Sequence, residues 1–144
     1  MYETITRDLL EFLDRSPSCY HVIGNIRSML TDAGYRELAE GTEWTLAESG
    51  KYFTVRNESS LIAFQLPRKD FAGFQIAASH SDSPAFKIKA NPEIAVEERY
   101  VSLNVEKYGG MLCAPWFDRP LSVAGRVIVR DGDRLRTRLV RVDR

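Results

Sequence analysis

Histidine and cysteine are the scarcest chemistry-bearing residues here, with only His21, His80, Cys19 and Cys113 among 144 residues. Two imidazoles exclude any site assembled from several histidines of this chain alone. The cysteines are far apart and show no Cys-x-x-Cys spacing, so neither a zinc knuckle nor a disulfide framework is suggested and two reduced, mostly buried thiols are expected. Charge of one sign is lacking too: 20 Lys plus Arg face 20 Asp plus Glu. A chain without net charge has no overall field to hold nucleic acid or an anionic membrane. No uninterrupted apolar stretch approaches the roughly 18 residues that a membrane-crossing helix needs. The first residues carry Glu3 and Asp8 where a secretory signal would carry a basic end and an apolar run, so a cytoplasmic protein is expected. Gly-x-Gly-x-x-Gly, a Walker loop and Gly-x-Ser-x-Gly are all missing, which removes the usual supports for dinucleotide binding, phosphoryl transfer and serine esterase chemistry. No internal repeat or low-complexity segment occurs.

What remains is a globular composition, 44% apolar and 28% charged, with a pattern that changes along the chain. Residues 3–15 place Ile5, Leu9, Phe12 and Leu13 at helical spacing with charges between them, and Ser16-Pro17-Ser18 ends that helix. A second helix starts from Ser18 as N-cap, carries Val22, Ile23, Ile26, Met29, Leu30 and Ala33 on one side, and stops at Gly34. His21 falls in its first turn, where a structural role is expected. From residue 50 the period shortens. Residues 52–56 and 61–66 read as a hairpin about the turn 57–60, and 67–70 as a polar break. Residues 74–79, Phe-Gln-Ile-Ala-Ala-Ser, read as a strand buried on both faces in the middle of a sheet. Residues 85–89 and 100–108 alternate as half-buried strands, with a break at Asn91-Pro92 and a turn at Gly109-Gly110. Residues 125–130 and 134–142 form a second hairpin about Asp131-Gly132-Asp133. From 118 to 144 there are eight arginines against four aspartates, read as a solvated face or subunit contact because no aromatic stacking set is interleaved.

Chemistry concentrates at His80-x-Asp82, which follows the apolar strand at the sheet edge where α/β folds bind ligands. A histidine there can offer one ring nitrogen to a metal while an aspartate two residues on holds the other nitrogen or orients a neighbouring ligand. Ser81 and Ser83 with Pro84 would fix the turn. The spacing also suits an ordinary polar turn, so the pair alone leaves both readings open.

Ordered blocks then add a resemblance. Phe12-Leu13 through Ser16-Pro17-Ser18 and His21, residues 52–57 with 60–64, Ala78-Ser79-His80-Ser81-Asp82-Ser83-Pro84 with 86–89, Tyr108-Gly109-Gly110, and residues 116–121 with 124–127 resemble the aspartyl aminopeptidase family, metallopeptidase family eighteen, over nearly the whole chain. The resemblance implies an α/β fold, mixed α+β in this segment. It would comprise two helices, a hairpin and central strands of a zinc-peptidase sheet, then the start of an inserted β-rich assembly domain. It places the catalytic part at residues 1–98 and the assembly part at 99–144. His80 matches the family's first zinc-ligand histidine and Asp82 the catalytic-site aspartate behind it. The implied cofactor is a pair of zinc ions, with manganese or cobalt as alternatives. The implied substrate is a peptide, with acidic amino-terminal residues as the family's best-known preference, and the implied assembly a homo-oligomer from dimer to dodecamer. Members are about three times longer, so the other ligands and the general base belong to segments beyond Arg144, and this length alone is expected to be inactive. The remainder of the enzyme or a second chain would complete it. The rival expectation is a short non-catalytic interaction module. Asp118, Trp116 and Phe117 are read as structural and Glu97-Glu98 as a solvated patch.

Overall fold

In the computed structural model, which describes residues 2–68 and 71–142, helices come first and strands after them, giving a mixed α/β chain. Contacts divide it into two compact units, Met1–Asp82 with Ser122–Arg144, and Ser83–Leu121. The expected boundary at 98/99 falls in the turn of a hairpin within the second unit.

The first unit opens with α1 (Tyr2–Asp14) and α2 (Cys19–Asp32). Pro17 removes an amide donor and restricts the residue before it, so the helix cannot run on. Asn25 of α2 reaches back and donates to the Arg15 carbonyl at 2.9 Å, satisfying an acceptor that the end of α1 leaves open. At the end of α2, Tyr35 N–H donates to Leu30 O and Gly34 N–H to Thr31 O, while Gly34 takes φ of 81°. That double closure needs a left-handed residue, which explains the glycine. The strand β1 (Arg36–Glu37), too short to be legible as a pattern, pairs parallel with β2 (Lys51–Arg56), and β2 pairs antiparallel with β3 (Ser60–Gln65). Ile23, Leu38, Tyr52 and Phe53 form the buried core of this unit, with Phe53 0% exposed.

The second unit is built on the hairpin of β4 (Ala85–Val96) and β5 (Tyr100–Tyr108), followed by a single 3-10 turn at Ala114–Trp116. The expected break at Asn91-Pro92 is instead an irregularity inside a long strand, with the register shifting between Ile88 and Glu93. Proline cannot donate to a ladder, so the extra residues bulge out there. Asn104 fills the gap by donating to the Asn91 carbonyl at 3.1 Å. Trp116 packs edge-on against Phe86, centroids 5.4 Å apart, as a packing residue should. Phe117 and Asp118 are both exposed, and Asp118 takes φ of 54°.

The chain returns to the first unit as β6 (Val123–Asp131) and β7 (Arg134–Val142), paired antiparallel throughout. Residues 69–70 of the expected polar break and 143–144 at the end lie outside the described residues. Residues 74–79 correct the sequence reading. They form no strand, and Phe74 and Ile76 are 75% and 86% exposed. A strand buried on both faces requires ladder partners and covering layers, and no described strand pairs with this segment. Hydrophobic pattern identifies a segment that wants burial; it does not say that the covering elements lie in the same 144 residues.

Candidate functional site

The segment 71–80 runs without regular pairing into a bend at Ser81. Around that bend His80 and Asp82 come together, Nδ1 to Oδ1 at 2.9 Å. An ionised carboxylate only accepts, so the bond makes Nδ1 the protonated nitrogen and leaves the lone pair on Nε2. This is the arrangement in which a carboxylate sets the tautomer and orientation of a metal-ligating imidazole. His80 is 91% exposed while Asp82 is 33% exposed, so the ring stands out from the carboxylate that steadies it.

Ser81 points the other way. Its hydroxyl donates to the Ser59 carbonyl in the β2–β3 turn at 2.8 Å. The expectation that Ser81 helps fix the turn gains a partner 22 residues away, which no local pattern could reveal.

His80 with Asp82 fits one zinc ligand and its orienting carboxylate. Among the described residues no three His, Cys, Asp or Glu side chains converge to hold a metal ion, so a complete coordination sphere is not formed by them. Depressions in the surface lie along residues 36–45 and against Leu10, Glu11, Asp14 and Arg15, away from the pair. Cys19 and Cys113 are free thiols, each half-buried. His21 takes the structural place expected of it: Ser18 Oγ lies 2.8 Å from its Nδ1, and Ser18 caps no backbone amide with that hydroxyl. Partial burial holds the His21 pKa below 6.5, and the nearby Arg141 charge pushes the same way.

The family described as aminopeptidase I zinc metalloprotease (M18) matches residues 12–144. A protein of Clostridium acetobutylicum called probable M18 family aminopeptidase 2 is 45% identical over 142 residues, which is 96% of this chain and 33% of that protein. Among solved structures, Chaetomium thermophilum mApe1 superposes with a TM-score of 0.89 at 39% identity, covering 98% of this chain and 33% of the other. The S. cerevisiae mApe1 dodecamer gives 0.88 at 29% identity, covering 97% and 34%. The chain therefore spans about a third of the length of the relatives it matches. No described helix is long and apolar enough to cross a membrane.

Proposed function

This chain belongs to the M18 family of aminopeptidases, and from that premise we propose that it forms the amino-terminal part of a zinc-dependent aminopeptidase that removes single residues from peptide amino termini. The observation that carries the proposal is the 2.9 Å contact between His80 and Asp82 within a chain matched to the family over residues 12–144. In this reading His80 is one zinc ligand through Nε2, and Asp82 holds the proton on Nδ1 and fixes the plane of the ring. Zinc, when bound, supplies Lewis-acid polarisation of the peptide carbonyl. The remaining ligands and the general base come from polypeptide other than these residues, and two ions complete the site, with manganese or cobalt as alternatives. By itself this length is inactive.

The finer assignments follow the same reading. Residues 1–98 serve the catalytic part and 99–144 the start of an assembly part, and the substrates are peptides with acidic amino-terminal residues. Solved M18-family relatives include a dodecamer, which supports self-association of the complete protein. The location is cytoplasmic, and neither nucleic acid nor membrane is a partner.

The test is to isolate the polypeptide carrying these residues from its source, together with anything bound, and measure its mass, zinc content and release of amino-terminal residues. A species well above 16.4 kDa that holds zinc and loses both zinc and activity in His80→Ala supports the proposal. A lone 16.4 kDa species without zinc or hydrolysis would instead support a non-catalytic interaction module.

A further inference from the structure

The loop that carries His80 and Asp82 has no ladder of its own, yet metal ligation demands a fixed imidazole. Something outside residues 71–82 must hold it. Ser81, between the two members of the pair, donates from Oγ to the Ser59 carbonyl at 2.8 Å. Ser59 belongs to the β2–β3 turn, a tight hairpin connection that puts both central residues in left-handed backbone. Asn57 and Glu58 both take left-handed φ, 51° and 56°, and Ser59 N–H closes the turn on the Arg56 carbonyl at 3.1 Å. Left-handed backbone is disfavoured for any residue with a Cβ, and such conformations persist where their surroundings over-determine them.

The surroundings here come from the far end of the chain. Arg126 of β6 donates from Nη1 to the Asn57 carbonyl at 2.9 Å and to Asn57 Oδ1 at 3.3 Å, and lies 3.4 Å from Glu58 Oε2. Its guanidinium stacks over the Tyr20 ring of α2, 4.3 Å from the centroid, and the side chain is only 20% exposed. Thr137 of β7 adds a bond to Glu58 Oε1 at 3.3 Å. Guanidinium groups hold several acceptors in one plane, so this single side chain fixes both the carbonyl and the side chain of Asn57.

We propose that Ser81 is a positioning residue for the His80–Asp82 pair, anchoring it through the Ser59 carbonyl to a turn that Arg126 braces from β6. The proposal rests on the zinc reading above for its consequence, and on the hydrogen bonds alone for its mechanism. The residue between the two members of the pair is thereby tied to the β2–β3 turn. The returning hairpin β6–β7 contributes to the site's rigidity through that turn.

The experiment uses the full polypeptide that contains these residues, as wild type and as Ser81→Ala, Ser81→Thr, Arg126→Met and His80→Ala. Two quantities are read: zinc affinity by competition with a chelating dye, and amide hydrogen exchange across residues 57–60 and 79–83. Ser81→Ala should speed exchange across 79–83 and weaken zinc about tenfold, the scale of lost support behind a metal ligand. Ser81→Thr keeps the hydroxyl and should restore both, which a general packing defect would not permit. Arg126→Met keeps the apolar stem and should speed exchange first at 57–60 and then at 79–83. Unchanged exchange across 79–83 in Ser81→Ala, or a defect equally large in Ser81→Thr, would overturn the anchoring. Unchanged exchange at 57–60 in Arg126→Met would overturn the brace. If exchange responds as expected while His80→Ala binds zinc like wild type, the anchoring stands and the zinc-ligand reading of His80 falls.

Discussion

His80 and Asp82 meet across the bend at Ser81, where the carboxylate accepts from the imidazole. The 2.9 Å contact between them is the part of the site that a local pattern can carry. The Ser81 to Ser59 bond is not, because it depends on how a loop folds against a turn 22 residues earlier. Asp82→Asn keeps the size and an acceptor oxygen but removes the charge that makes the imidazole a better ligand. Zinc affinity of the complete protein should fall by about 10- to 100-fold, checked by dye competition. Wild-type affinity in that variant would remove Asp82 from the site. His21 supports a separate prediction about acid. Its pKa is lowered in the folded state by burial and by Arg141, so below about 6.5 the unfolded chain binds a proton that the folded chain resists. Stability is thus present in full above the unfolded value and is lost as pH falls through about 6.5 toward the lowered folded value. His21→Asn should flatten that loss. Thermal midpoints recorded from neutral to mildly acid buffer, in parallel for both proteins, decide it; superimposable pH profiles would show that His21 contributes nothing.

Elements were legible to the extent that their stabilising contacts are local. Both helices, the β2–β3 hairpin and the β6–β7 hairpin carry their own periodicity and turn residues, and each appears close to its expected limits. The β4 strand ran on through Pro92 because a bulge accommodates what a regular ladder cannot, and a two-residue β1 leaves no pattern to read. The β2–β3 turn offers a test at this scale. Asn tolerates the left-handed region better than other residues with a Cβ, and glycine tolerates it best. Asn57→Ala keeps the backbone carbonyl for Arg126 but loses Oδ1 and adds left-handed strain, so it should destabilise by about 1–2 kcal/mol. Asn57→Gly should cost clearly less, since the strain is relieved while the side-chain bond alone is lost. Urea unfolding midpoints rank the two variants; equal loss in both would mean that the turn is held by the side-chain bond and not limited by backbone strain.

At the scale of the molecule the apolar surface is out of proportion to the buried core. Only Ile23, Leu38, Tyr52, Phe53 and Met111 are buried hydrophobics among the described residues, although 44% of the chain is apolar. Ile5, Leu9, Leu10 and Leu13 make α1 amphipathic, yet every one of them is exposed, and so are Phe71, Phe74 and Ile76 beside the site. Fully burying one such side chain stabilises by about 1.5–3 kcal/mol, so leaving these exposed forfeits a driving force that a covering surface would recover. Contiguous exposure of this kind marks surfaces that another polypeptide covers. The family relatives are about three times longer, and the added length is the simplest source of that cover. These 144 residues by themselves should therefore bind a hydrophobic dye and self-associate, and should do both far less when expressed together with the rest of a full-length polypeptide. Light scattering on the two preparations is decisive. A monodisperse 16.4 kDa species that binds no dye would mean that α1 and residues 71–79 are stable in water as they stand, and the argument for a covering polypeptide would fail.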